Sequence, residues 1–257
     1  MSPVLKEYIE GYYLLDEHTV FPRRYLTFPT NYLILTYLHH AAFRQEGNKV
    51  YISKAEGKSV LSLTYNYTQP LEINYIDKVK ELTLYFKPFG LQQFFDDIGC
   101  FNSEMVDDFQ SHTTFKSDME RIVNQTTCIK ELIEDYLLKR FKRKEDQLLM
   151  ELLRQLDGGY AIEDIAKNLG ISRQYVSKYL KKRVGKNASD YKKIARFRNT
   201  IQSFQDQPDQ TLTQLTHNHL FFDQSHLIKE FKKLTGYNPK DFFDRTSLEA
   251  ENIWLTI

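Results

Sequence analysis

The sequence is short of several things, and each shortage removes a class of function. Its 257 residues hold two cysteines, Cys100 and Cys128, too few for a disulfide framework or a thiolate zinc site, so both read as ordinary buried or half-buried thiols. No stretch approaches the ~18–20 consecutive apolar residues that a membrane span needs. Residues 1–11 carry Lys6, Glu7 and Glu10 where a signal peptide would be apolar, and a cytoplasmic location is the expectation. Gly-rich phosphate loops, Cys-x-x-Cys pairs and nucleophile elbows are missing, and no carboxylates pair at a spacing that would place them in one site. His217 and His219 form a His-x-His whose side chains diverge on a helix, which disfavours a metal site. An enzyme with its site in the first half stays the weaker alternative, and no cofactor is expected. The net charge, +1, also lacks the excess of cations that a phosphate backbone attracts.

That average conceals a division. With 41% hydrophobic and 27% charged residues the chain should fold as a globular protein, but its charge is unevenly spread. Residues 1–138 carry −6, residues 139–199 carry +10, and residues 200–257 carry −3. An acidic front half is joined to a strongly basic middle.

Up to about Lys87 the pattern is of strands. Apolar or alternating runs at 32–38, 50–53, 60–67 and 82–86 are separated by turn residues at Glu46-Gly47-Asn48 and Glu56-Gly57-Lys58. Pro22, Pro29, Pro70 and Pro88 lie at or beyond the ends of these runs, where a sheet tolerates proline. His39 and His40 are adjacent, so on a strand they point to opposite faces. Tyr32, Tyr37, Tyr65, Tyr67 and Phe86 are the aromatic residues that could line a ligand site, the competing reading being plain core. Helical periodicity begins in the short segment 91–95. A longer helix is expected over 127–141, where Ile129, Leu132, Ile133, Tyr136 and Leu137 form one stripe. The stripe either packs on its own domain or forms part of a homodimer seam. The run Lys139 to Lys144 marks the junction between halves.

Beyond Asp146 the chain reads as helix throughout and repeats itself. Ile162, Ile165, Ala166, Leu169 and Gly170 recur 50 residues later as Leu212, Leu215, Thr216, His219 and Leu220. Ser172, Val176, Leu180 and Gly185 recur 51 residues later as Asp223, Leu227, Phe231 and Gly236. In the first copy a helix near 162–169 stops at Gly170, Ser172 caps a second helix from Arg173 to about Val184, and Gly185 ends it. Helix, short glycine-containing turn and helix is the helix-turn-helix unit, whose second helix enters the DNA major groove. With Val176, Tyr179 and Leu180 inward, Arg173, Gln174, Ser177, Lys178 and Lys181 face out. In the second copy Gln224, Ser225, His226 and Lys229 do, followed by Lys232 and Lys233. Between the units, 187–204 can be one helix of ~27 Å, a spacer able to hold two recognition helices in successive major grooves. A protein-interaction module on the same scaffold is the rival, but it would have no need of the cationic excess.

From about Leu149 to Arg245 the sequence resembles the AraC/XylS family of bacterial transcription regulators. The resemblance is most specific in Phe221-Phe222-Asp223-Gln224-Ser225-His226-Leu227-Ile228-Lys229-Glu230-Phe231-Lys232-Lys233 with Gly236 and Pro239. Ser172, Arg173, Val176, Leu180, Gly185 and Ala195-Arg196-Phe197-Arg198 agree in the first unit and linker. Leu220, where the family has glycine, and Thr216, where it prefers a small apolar residue, depart from the pattern. The resemblance implies base-reading residues at Gln174, Ser177, Lys178, Ser225, His226 and Lys229. Phosphate contacts are expected from Arg173, Lys181, Lys182, Arg183, Lys186, Lys232 and Lys233. It implies an α+β protein: a β-rich, cupin-like barrel domain over 1–143 that binds a small effector or dimerises, then an all-α domain over 144–257. The two helix-turn-helix units of that domain fall at about 160–186 and 210–237, joined by a linker helix. Leu84-Tyr85-Phe86-Lys87-Pro88-Phe89-Gly90 looks like a segment found in one group of these regulators, although the cupin pattern of spaced His and Glu is missing. The partners implied are double-stranded DNA, RNA polymerase and an effector, for an activator associated with the nucleoid when bound.

Overall fold

Strand parity decides how the first half is built. The structure, a computed structural model, describes residues 1–16, 24–96, 106–108, 113–125, 127–218, 221–245 and 254–256. Ten strands are present among them: β1 (Ile9–Leu15), β2 (Arg24–Thr27), β3 (Leu33–His39), β4 (Ala41–Glu46), β5 (Lys49–Lys54), β6 (Val60–Thr64), β7 (Leu71–Tyr75), β8 (Lys80–Phe86), β9 (Val106–Asp108) and β10 (Trp254–Thr256). They form two five-stranded sheets, ordered β1-β8-β3-β6-β9 and β10-β2-β7-β5-β4. The first is antiparallel throughout, and the second contains one parallel pair, β5 with β7. Among the described residues the sheets do not join into a closed barrel, so the domain is two facing sheets.

In the first sheet the odd positions of β3 and β6 and the even ones of β8 face outward. Leu33, Leu35, Tyr37, Leu61, Leu63, Leu82, Leu84 and Phe86 pack there against Phe115 and Met119 of α2 (Thr113–Val123) and Ile133 and Leu137 of α3 (Ile129–Arg140). The opposite face meets the second sheet: Leu38 packs with Tyr25, Val50, Ile52 and Tyr75, and Ile34 and Tyr85 pack with Leu71. Burial on both faces explains why these strands read as nearly continuous apolar runs, each buried Leu or Ile contributing ~1.5–3 kcal/mol.

Parity also corrects the expected aromatic lining. Tyr37, Tyr65 and Phe86 belong to the helix-facing core; Tyr67, its hydroxyl donating to the Phe28 carbonyl at 2.6 Å, and Tyr32 pack in the Ile34–Leu71–Tyr85 cluster between the sheets. His39 and His40 do not diverge. His40 takes a left-handed φ of 47° that ends the strand, and the two rings meet edge to face at 4.1 Å. Cys128 is exposed rather than buried, since it precedes α3 in a left-handed conformation; Cys100 lies outside the described residues. The α3 stripe packs through Ile129, Ile133, Tyr136 and Leu137 on its own domain, leaving Leu132 and Leu138 partly exposed.

The second half contains α4 (Gln147–Asp157), α5 (Ile162–Asn168), α6 (Arg173–Val184), α7 (Ala188–Asp206), α8 (Leu212–Asn218), α9 (Gln224–Thr235) and α10 (Pro239–Arg245). It meets the first half along a polar and aromatic seam. The Arg198 guanidinium donates to the carbonyls of Phe28 at 2.5 Å and Pro29 at 2.8 Å, and the Asn31 amide donates to the Tyr191 carbonyl at 3.0 Å. Beside these, Leu26 and Phe28 pack with Phe197, Ile201, Phe231, Leu234 and Phe242.

Candidate nucleic-acid interface

Each of the two repeated units is held by local signals that the sequence carries. Ser172 Oγ accepts the Tyr175 N–H at 3.1 Å and starts α6; Gly185, at φ 76°, ends it. Asp223 Oδ1 accepts the His226 N–H at 2.7 Å and starts α9; Gly236, at φ 81°, ends it. In the turn before α6, Gly170 takes φ 64°, a conformation that costs glycine little. Val176, Leu180 and Val184 pack on Leu149, Leu152, Leu156, Ile165 and Ala166, while Leu227 packs with Leu215 and Phe221. Thr216 is buried but satisfied, its hydroxyl donating to the Leu212 carbonyl at 2.7 Å. His219 and Leu220 lie outside the described residues.

Packing on one side leaves the other to solvent. Gln174 and Lys178 on α6 are exposed and Ser177 is half-buried; on α9, Ser225 and Lys229 are exposed. Lys181, Lys182, Lys232 and Lys233 are exposed cations in the last turns, where they also complement the helix dipole. Arg173 is exposed and ion-paired with Glu163. Arg183 is half-buried, its Nε 3.1 Å from Asp146 and its guanidinium over the Tyr179 ring at 5.4 Å. The α7 linker has 19 residues, ~28 Å at 1.5 Å per residue.

Two expected contacts are placed differently. Lys186 is buried, and its ammonium donates to the Tyr65 carbonyl of the first half; in this arrangement it faces away from any phosphate. Burial pulls its pKa down to about 7, with Asp190 opposing. The reason is the seam: Gly185 fits against the Tyr65 ring with no room for a Cβ, and the next residue is drawn inside. Gln92 reinforces the contact by donating to the Arg183 carbonyl at 2.5 Å. His226 is half-buried with both ring nitrogens engaged: Nδ1 accepts the Phe222 N–H at 3.3 Å and Nε2 lies 3.2 Å from Glu230. Glu230 in turn holds Arg196 at 2.6 Å. His226 thus organises the start of α9.

Two exposed aromatics were not singled out from the sequence. Tyr175 lies on the outer face of α6, stacked on Tyr179 at 5.7 Å, and Phe222 before α9 is 92% exposed.

Two capped helix pairs on a shared linker define a double helix-turn-helix domain, a DNA-binding class. Residues 165–245 match the family model described as a helix-turn-helix domain, and this domain is of the AraC type. No curated protein sequence matches the chain. Among solved structures, ToxT from Vibrio cholerae in its P21 crystal form is similar at 11% identity, over 91% of this chain and 97% of that one, with a TM-score of 0.48. ToxT from Vibrio cholerae O395 follows at 10%, 91% and 95%, with a TM-score of 0.46. Wild-type ToxT of strain SCE256 bound to an unsaturated fatty acid gives 12%, 90% and 92%, with a TM-score of 0.44. Among the described residues no helix is long and apolar enough to cross a membrane, and no His, Cys, Asp and Glu side chains gather as a metal site.

Proposed function

We propose that the chain is a sequence-specific, double-stranded-DNA-binding transcription regulator of the cytoplasm, non-catalytic, that inserts α6 and α9 into successive major grooves. One observation carries this: two helices capped in the same way, at the two ends of one linker helix, each present an outward face of amide, hydroxyl and cationic groups. Gln174, Ser177, Lys178, Ser225 and Lys229 are the base-reading set; Arg173, Lys181, Lys182, Lys232 and Lys233 hold phosphates. Arg183 joins them on release from Asp146. Residues 1–143, together with strand β10 in their second sheet, form the sensor-type domain, and 144–245, not the whole of 144–257, form the reading domain. An effector would enter the first half, and a homodimer would use Leu132 and Leu138 on α3. As an activator, the bound protein would act on RNA polymerase.

Selection of bound sites from genomic DNA, followed by mobility shifts of the full chain at several salt concentrations, tests the reading; no salt-dependent affinity would overturn it. Lys178→Ala and Lys229→Ala are each expected to relax specificity at one position of the site by ~1–3 kcal/mol. Uniform weakening across all sequences would make them phosphate contacts instead. Lys181→Gln with Lys182→Gln should do the opposite, weakening all sequences alike and lowering the salt slope by ~2, at ~0.9 per phosphate contact. An unchanged slope would remove both lysines from the interface.

A further inference from the structure

The packing between the two sheets leaves part of the space unfilled. Its helix-facing counterpart is made of Leu, Phe and Tyr, whereas this side places Thr36 of β3, Ser62 and Thr64 of β6, Thr83 of β8 and Thr27 of β2 around a cavity of about 70 Å³. That is room for roughly five water-sized atoms at ~15 Å³ each. Ile34, Val50, Leu71 and Ile73 supply its apolar wall, and Tyr13, Tyr25 and Tyr85 its aromatic one.

Among the described residues one charged side chain lines it. Glu81 is 2% exposed; it accepts the Tyr13 hydroxyl at 2.5 Å and the Thr83 hydroxyl at 2.8 Å on Oε1, and the Tyr75 hydroxyl at 2.5 Å on Oε2. A carboxylate has about four acceptor positions, so one remains after these three. Among the described residues no Lys or Arg lines the cavity and no cation pairs with Glu81. Burial raises the Glu81 carboxyl above its usual range, while the hydroxyls of Tyr13, Tyr75 and Thr83 that donate to it oppose this and favour the carboxylate; burial and then Glu81 push Tyr13 and Tyr75 up. An anionic ligand would find no countercharge here and would face Glu81. A cation finds a carboxylate, and aromatic rings whose faces attract positive charge.

We propose that this cavity binds a small aliphatic amine as its ammonium ion, the N–H groups donated to Glu81 and the threonine hydroxyls and the carbon chain laid against Ile34, Leu71 and Ile73. The assignment deepens the sensor reading of the first half and rests on it only for its regulatory meaning. Charge selects the ligand class, and cavity size limits it to a few carbons.

Titration calorimetry of the full chain with n-propylamine hydrochloride, 1-propanol and sodium propionate at neutral pH tests it. The amine is expected to bind at least tenfold more tightly than the alcohol, with no detectable binding of propionate. Glu81→Gln keeps the volume and should lose at least tenfold in amine affinity. Thr64→Leu, which fills the cavity and leaves Glu81 in place, should lose binding as well and serves if the first variant does not fold. No amine binding by folded wild-type protein, equal binding of the alcohol or propionate, or full affinity in the folded variants would overturn the proposal. Mobility shifts without amine report on DNA binding separately, so failure of the ligand assignment and failure of the regulator reading give different results.

Discussion

Lys186→Met should abolish most of a rise in stability expected of the wild-type protein between about pH 7 and 10.5. In the folded chain the Lys186 ammonium titrates at about 7 instead of 10.5, because it is buried against the Tyr65 carbonyl. Across that window the unfolded chain binds a proton that the folded one has lost, so stability increases with pH. Below about pH 7 both states are protonated, and the folded protein bears the whole cost of a buried ammonium, on the order of 5 kcal/mol. Methionine fills similar volume without charge. Denaturant unfolding at pH 6, 8 and 10, for wild type and variant, measures the difference. It should be largest at pH 6, in favour of methionine and reduced by ~1–3 kcal/mol for the carbonyl left unpaired. Parallel pH profiles would mean that Lys186 is solvated and that the seam does not enclose it.

Phe231→Ala is expected to cost ~3–5 kcal/mol. The ring is 2% exposed and meets Phe197 and Phe242 at 5.1 Å each and Phe243 at 5.5 Å. Its neighbour Phe242 also touches Phe28 of the first half at 5.1 Å. The loss should therefore loosen α9 from the linker and the helical half from the sheets together, seen as a lower denaturation midpoint and weaker DNA binding. Phe222→Ala, at a site 92% exposed, should stay within ~0.5 kcal/mol. Comparable losses in the two variants would contradict the packing.

These two residues also show what a sequence can and cannot display. The helix ends at Ser172, Gly185, Asp223 and Gly236 were legible because a cap acts on atoms three or four residues away, and α6 and α9 fall where those signals put them. The strong strands β3 and β8 were legible for the same reason, being continuous apolar runs. β2 is four residues, Arg24–Thr27, and β4 is an edge strand with alternating exposure; their identity comes from pairing with distant partners. Lys186 reads as a surface cation because nothing within twenty residues says otherwise; the group that buries it is Tyr65. In the sequence Glu81 is one acid among many; its significance lies in the tyrosines that converge on it from β1 and β7. His226 sits at a base-reading register, yet its ring is turned back on Phe222 and Glu230. Register alone does not say which way a ring turns.

Strand β10 pairs with β2 at the edge of the second sheet, joining Trp254 to Thr27 and Thr256 to Tyr25. The helical half is therefore an insertion: the chain leaves the sheets for α4 and comes back to them after α10. A segment anchored at both ends cannot drift far when its docking contacts break, so re-docking is an intramolecular event at high effective concentration. Opening along Lys186 and Arg198 would be brief and reversible while β10 stays paired, and cutting the chain after Arg245 would make each opening last longer.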